Sequence, residues 1–173
     1  MLKHATNLIQ QRWASLKDKP ENQRMARERN IKNLKTEKEG ILILKKHISN
    51  FLIPTSDERK HIYKVLDIDY KKYSRSVDGI ILNVPNVNDI KSENDLTLVE
   101  IKTTKAKNIK KLPFGAFFGI TQNEEDLFKA RNNYRLCIVH SITEDYALID
   151  YDEYNSLIQN KRVQYQVNFK SKE

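Results

Sequence analysis

Two short apolar segments constrain this chain more than any other feature: Val77-Asp78-Gly79-Ile80-Ile81-Leu82 and Leu96-Thr97-Leu98-Val99-Glu100-Ile101-Lys102. Both have strand character, and each carries charge at an end where a buried strand ordinarily has none. Side chains alternate between faces along a strand, so Glu100 and Lys102 emerge on the face that also carries Leu96 and Leu98. A carboxylate and an ammonium on a strand made for burial are costly unless they pair with each other or hold a metal.

An Asp at the head of one strand beside Glu-x-Lys on the next can grip a hard divalent cation and steer a water beside it. That is the chemistry of metal-assisted phosphodiester hydrolysis. The acid-x-Lys spacing alone is not specific, because Glu58-Arg59-Lys60, Asp69-Tyr70-Lys71 and Asp89-Ile90-Lys91 repeat it in a lysine-rich chain. Strand context separates them. Glu58 sits in a solvated run, Asp69 beside Tyr70-Lys71-Lys72, and Asp89 in a polar loop. Only Glu100 follows an apolar strand and has a second such strand with its own Asp.

Asp78 followed by Glu100-Ile101-Lys102 resembles the PD-(D/E)XK nuclease signature of type II restriction endonucleases, Mrr-like enzymes and archaeal junction resolvases. Val99 to Lys105 and Asn133-Tyr134-Arg135-Leu136 are also similar to small members of that superfamily. The likeness spans roughly residues 37–151 and departs from the pattern at Val77, where the signature has Pro. It implies a restriction-endonuclease-like core, an α/β fold with a central mixed sheet flanked by helices. It also implies a Mg²⁺ site, with Mn²⁺ able to substitute, made by Asp78, Glu100 and the backbone carbonyl of Ile101. Lys102 would contact the phosphate and position the water. A further acid from the first core helix is expected, with Glu39 favoured over Glu37. Gln122 is a weaker candidate at the mouth of a later helix.

The implied activity is a metal-dependent deoxyribonuclease, a restriction-type endonuclease or its catalytic subunit acting on double-stranded DNA. One centre cuts one strand, so a homodimer or a second nuclease subunit is expected. A structure-specific nuclease (junction resolvase or repair enzyme) is the first alternative. An inactive nuclease-like module that binds nucleic acid is the second.

Charge supports a polyanionic partner. The chain has a formal net charge of +8, and residues 1–46 hold 12 Lys or Arg against 5 Asp or Glu, an asymmetry suited to phosphates. Expected DNA contacts are Lys105, Lys107, Lys110 and Lys111 after the motif, and Arg24, Arg27 and Arg29 on a basic helix. Phe114, Phe117 and Phe118 suit a core better than base stacking. The scattered histidines His4, His47, His61 and His140 exclude a zinc or HNH-type centre, and four glycines are too few for a phosphate-cradling loop. A lone Cys137 in an apolar run, no apolar run near the ~18 residues of a membrane span, and no signal-peptide pattern point to a cytoplasmic protein.

The remaining pattern is one domain: a basic helical extension over residues 1–35 and a nuclease core over 36–173. Leu8, Ile9, Trp13 and Leu16 give a first helix over 2–17. A second runs from about Glu21 to His47, with Gly40 as a close-packing point or a break. Thr55 to Glu58 forms a capping box, followed by either a helix or a strand across Ile62–Tyr70. Asn83–Asp95 is a long polar loop, read as a mobile surface insertion in preference to a loop that reaches toward the substrate. Thr121-Gln122-Asn123-Glu124 is a second capping box before a helix, and strands at Tyr134–Ser141 and Tyr146–Asp150 precede a helical turn at Tyr154–Ile158.

Overall fold

A computed structural model describes residues 36–163 of the chain. Helix α1 occupies residues 36–47. It is followed by strand β1 (Phe51–Leu52), helices α2 (Ser56–Val65) and α3 (Tyr70–Tyr73), and strands β2 (Gly79–Leu82) and β3 (Leu96–Thr104). Helix α4 (Gln122–Ala130), strands β4 (Tyr134–His140) and β5 (Tyr146–Ile149), and helix α5 (Tyr151–Leu157) complete the order. The expected helix over 2–17, the basic segment from Glu21 to Lys35 and the tail after residue 163 lie outside the described residues.

The strands form one mixed sheet in the order β1-β2-β3-β4-β5. Strands β3 and β4 run parallel, pairing Leu98 with Tyr134 through Thr104 with His140; the other neighbours are antiparallel. A parallel pair needs a crossover, and α4 lies within it. The fold is therefore α/β, with helices on a five-stranded mixed sheet.

The two faces of β3 and β4 feed two separate cores, as strand alternation requires. Leu96, Leu98, Leu136 and Ile138 pack with Ile62 and Tyr63 of α2, Leu127 and Phe128 of α4, and Tyr154 of α5. Val99, Ile101, Cys137 and Val139 pack with Ile43 and Leu44 of α1 and with Phe51. Gly40 is a close-packing point within a continuous helix: a Cβ there would lie 2.5 Å from Thr103 Oγ1 and 3.0 Å from Ile101 Cγ2. Cys137 is buried, and burial pushes its thiol up to about 12.

Both capping boxes are present. Glu58 N donates to Thr55 Oγ1 while Glu58 Oε2 accepts from Thr55 N at 2.7 Å, which fixes α2 as a helix and ends the choice left open across Ile62–Tyr70. The loop from Asn83 to Asp95 is anchored. It contains two 3₁₀ turns, buries Val87 and Ile90, and folds Asp95 back onto the N–H groups of Lys91 and Ser92. The other acid-x-Lys triplets have local duties. Glu58 caps α2, Asp69 caps α3 through the N–H groups of Lys71 and Lys72, and Asp89 accepts from Asn86.

Gly79, at the head of β2, permits the close approach of β1. A Cβ there would meet the Phe51 ring at 2.5 Å and Leu52 O at 3.1 Å. Phe51 is buried, so the ring has little room to retreat. Gly79→Ala is expected to lower unfolding free energy by about 1–3 kcal/mol, measured by denaturant titration; an unchanged midpoint contradicts this packing.

Candidate functional site

Asp78 stands one residue before β2, at the end of a segment clamped from three sides. Tyr134 Oη donates to Ser76 O at 2.6 Å, Tyr63 Oη donates to Tyr73 O at 2.9 Å, and the Arg59 guanidinium donates to the carbonyls of Ser74 and Val77. The backbone N–H of Asp78 then donates to Val99 O at 2.9 Å. Its Oδ2 accepts from Ile101 N at 2.8 Å, so the carboxylate takes the place of a backbone partner where β2 has not yet begun. In a strand the N–H and C=O of one residue face the same edge. The Ile101 carbonyl therefore lies on the edge occupied by Asp78. Burial pushes the Asp78 carboxyl up to about 6, against the Ile101 N–H that lowers it.

Glu100 and Lys102 follow on the face of β3 that carries Leu96 and Leu98, and Asp78 shares the strand parity of Ile80 and Leu82 in the same core. Glu100 is 4% exposed. Its Oε1 accepts from Lys102 Nζ at 2.7 Å, while its Oε2 is buried with no hydrogen-bond partner. Lys102 Nζ also donates to Glu124 Oε2 at 2.9 Å. Burial, Asp78 and Glu124 push Glu100 up to about 9, in spite of Lys102. For Lys102 burial lowers the pKa, but Glu100 and Glu124 together outweigh it and hold it above the usual lysine value. Two carboxylates thus share one ammonium.

Glu124 is the residue that the sequence reading left out of the site. It was visible only as the third helical residue of a capping box. Its Oε2 does accept from Thr121 N at 2.9 Å, and the same oxygen receives Lys102. Tyr134, Tyr63 and Arg59 were missed too, because their work is to hold backbone carbonyls and no spacing pattern marks that.

Of the two α1 carboxylates, Glu37 is close enough for its charge to raise Asp78. Glu39, the one favoured from sequence, lies with Oε2 2.7 Å from Lys105 Nζ, an ion pair without hydrogen-bond alignment. Gln122 is exposed and donates to Asp126. Lys107, Lys110 and Lys111 are exposed on the segment after β3. Arg24, Arg27 and Arg29 lie outside the described residues. Beside Glu124 opens a cleft of about 600 Å³ lined by Lys71, Lys72, Ser74, Arg75, Ser76, Thr121 and Asn123. Lys71, Lys72 and Arg75 thus stand next to the cluster, with Lys72 paired to Asp126.

The donors suit a hard cation. Asp78 and Glu100 supply carboxylate oxygens, one of them buried and unpartnered, and the Ile101 carbonyl lies on the β3 edge that Asp78 occupies. Among the described residues no group of three His, Cys, Asp or Glu side chains is arranged to hold a metal. Mg²⁺ needs only one or two carboxylates and retains several waters, so two carboxylates and a carbonyl meet its requirement. No protein-family model matches the chain, and neither the curated proteins nor the solved structures contain a significant match.

Two outcomes follow from this geometry. Burial and the neighbouring carboxylates push Glu100 from the ordinary 4.5 up to about 9, so between those values the native state binds more protons. Its contribution to stability is complete below the unfolded pKa and is lost as pH rises through the folded one. In EDTA the thermal midpoint should fall between about pH 5 and 9, and Glu100→Gln should flatten most of that fall; a midpoint that rises with pH in the parent contradicts the cluster. Tyr134→Phe leaves Ser76 O without its donor inside the core and should cost about 1–3 kcal/mol by denaturant titration, whereas a neutral outcome would mean that the clamp on Asp78 does not depend on it.

Proposed function

We propose that the chain is a Mg²⁺-dependent DNA endonuclease with a restriction-endonuclease-like core of the PD-(D/E)XK type. The observation that carries this reading is Lys102, held between Glu100 and Glu124 while a buried oxygen of Glu100 and the fixed carboxylate of Asp78 remain available on the neighbouring strand. A buried carboxylate oxygen without a partner costs free energy unless a proton, a water or a cation meets it, and in this reading the cation does so. The mixed sheet with helices on its faces supports the same assignment.

In this reading Asp78, Glu100 and the Ile101 carbonyl hold the cation, which when bound polarises the scissile phosphate and lowers the pKa of a water. The carboxylate pair of Lys102 keeps it protonated and fixed in direction, so its one remaining N–H would donate to a phosphoryl oxygen or to the attacking water. Glu37, whose charge already reaches Asp78, is the helix carboxylate best placed to assist through a water. Lys71, Lys72 and Arg75 neutralise phosphates beside the cluster, and Lys105, Lys107, Lys110 and Lys111 do so along the segment after β3. Such contacts position a strand without reading its sequence.

Duplex cleavage of the restriction type needs two such centres, hence a homodimer or a second nuclease subunit. A structure-specific nuclease is the second reading, favoured by the two exposed phenylalanines between β3 and α4.

Supercoiled and branched DNA incubated with the protein should be nicked or cut with Mg²⁺ and left intact with EDTA. Asp78→Asn and Lys102→Ala should each lower the rate by about 10²-fold or more. Cleavage in EDTA, or an undiminished rate in Lys102→Ala, removes the mechanism. Binding without any Mg²⁺-dependent cleavage would instead identify an inactive nucleic-acid-binding module.

A further inference from the structure

The segment from Lys105 to Ile120 joins the two elements that meet at Lys102. It leaves β3 three residues after Lys102 and enters α4 at Thr121, whose N–H is bonded to the Glu124 carboxylate that holds Lys102. Lys105, Lys107, Lys110 and Lys111 lie in it, and it contains no Asp or Glu.

Its apolar residues divide into two sets. Leu112, Ala116, Phe118 and Ile120 pack against the main core. Phe114 and Phe117 do not; they are 58% and 94% exposed. The backbone explains the division. Ala116 N donates to Pro113 O, closing a turn whose third residue, Gly115, has φ of 75°, a conformation that favours glycine. Phe114 sits on that turn, between core anchors at Leu112 and Ala116. At its start the segment is held by His140, whose Nε2 meets Ala106 O at 3.2 Å and whose Nδ1 accepts from Thr143 N. Two large rings are therefore presented outward from an anchored backbone, and the four lysines precede them in the segment.

Outward aromatic rings beside cations fit a particular ligand. Aromatic rings stack on bases that have left a duplex, and lysines follow the phosphates of the same strand. Paired bases expose only their edges, which offer a phenyl ring little. We propose that the 105–120 segment is a base-stacking platform, with Phe117 and Phe114 as its rings, and that the strand reaching Lys102 has unpaired bases, as in single-stranded, frayed or branched DNA. The inference rests on the hydrolytic reading above for the strand's destination and deepens it by naming the substrate class.

The test is fluorescence anisotropy of the full chain in EDTA, which needs neither metal nor cleavage, using a labelled single-stranded oligonucleotide and the matching duplex. The single strand should bind at least about tenfold more tightly than the duplex. Phe117→Ala should weaken single-strand binding by about 5- to 100-fold and change duplex binding less than about twofold, and Phe117→Trp should restore it. Phe114→Ala should act in the same direction. With its ring 94% exposed, Phe117 can be replaced without disturbing the core. Equal or tighter duplex binding overturns the proposal, as does single-strand binding unaffected by Phe117→Ala. So does a Phe117-dependent attachment to phosphatidylserine vesicles in place of DNA, which would make the segment a membrane contact. A protein that binds single strands through Phe117 but cuts no DNA with Mg²⁺ would keep the platform and lose the hydrolytic reading. Mg²⁺-dependent cutting with no such dependence on Phe117 would do the reverse.

Discussion

One ammonium shared by two buried carboxylates organises this molecule. Lys102 Nζ lies 2.7 Å from Glu100 and 2.9 Å from Glu124, and both acids are almost fully buried. Removing charges from water carries a penalty that the mutual attraction must offset, and here one cation faces more than one anion. The pairing fixes the end of β3 to the start of α4, and Thr121 locks that junction by sharing the same Glu124 oxygen. It also leaves the cluster short of positive charge. That shortage, more than the presence of any single acid, suits the site to a divalent cation.

The sheet supplies the rest of the geometry. Because β2 begins only at Gly79, the edge of β3 at Ile101 has no backbone partner from β2, and Asp78 fills the gap with its carboxylate. Three hydrogen-bonding side chains from α2 and β4 hold the preceding carbonyls, so the position of Asp78 is set by residues outside the Glu100–Lys102–Glu124 cluster. Cations stand on two sides of the cluster, in the cleft beside Glu124 and in the segment after β3.

The sequence made the centre legible because charge on an apolar strand is rare and strand alternation is rigid. Glu100 and Lys102 share a face for a reason visible in their spacing alone, and the β2–β3 register adds Asp78 to it. The capping boxes at Thr55 and Thr121 were legible in the same way, since both depend on local contacts. Less local features were not. Strand β1 is two residues long and carries no period. The segment Ile62–Tyr70 has apolar residues compatible with either period, and the cap at Thr55 decides it. Glu124 looked like a capping residue and is one; its second bond to Lys102 depends on a crossover that brings α4 beside β3. A spacing of two residues on α1 does not show that the charge of Glu37 reaches Asp78 while Glu39 pairs with Lys105. Phe114, Phe117 and Phe118 form one cluster in sequence, but the Gly115 turn sends two outward and one into the core.

The most direct test of the central claim is anomalous diffraction from crystals of the protein grown with Mn²⁺. The account predicts an anomalous peak within bonding distance of Asp78 and Glu100 carboxylate oxygens and of the Ile101 carbonyl, with Lys102 still paired to Glu124. An empty cluster under saturating Mn²⁺, or a peak bound only by residues elsewhere, would contradict it.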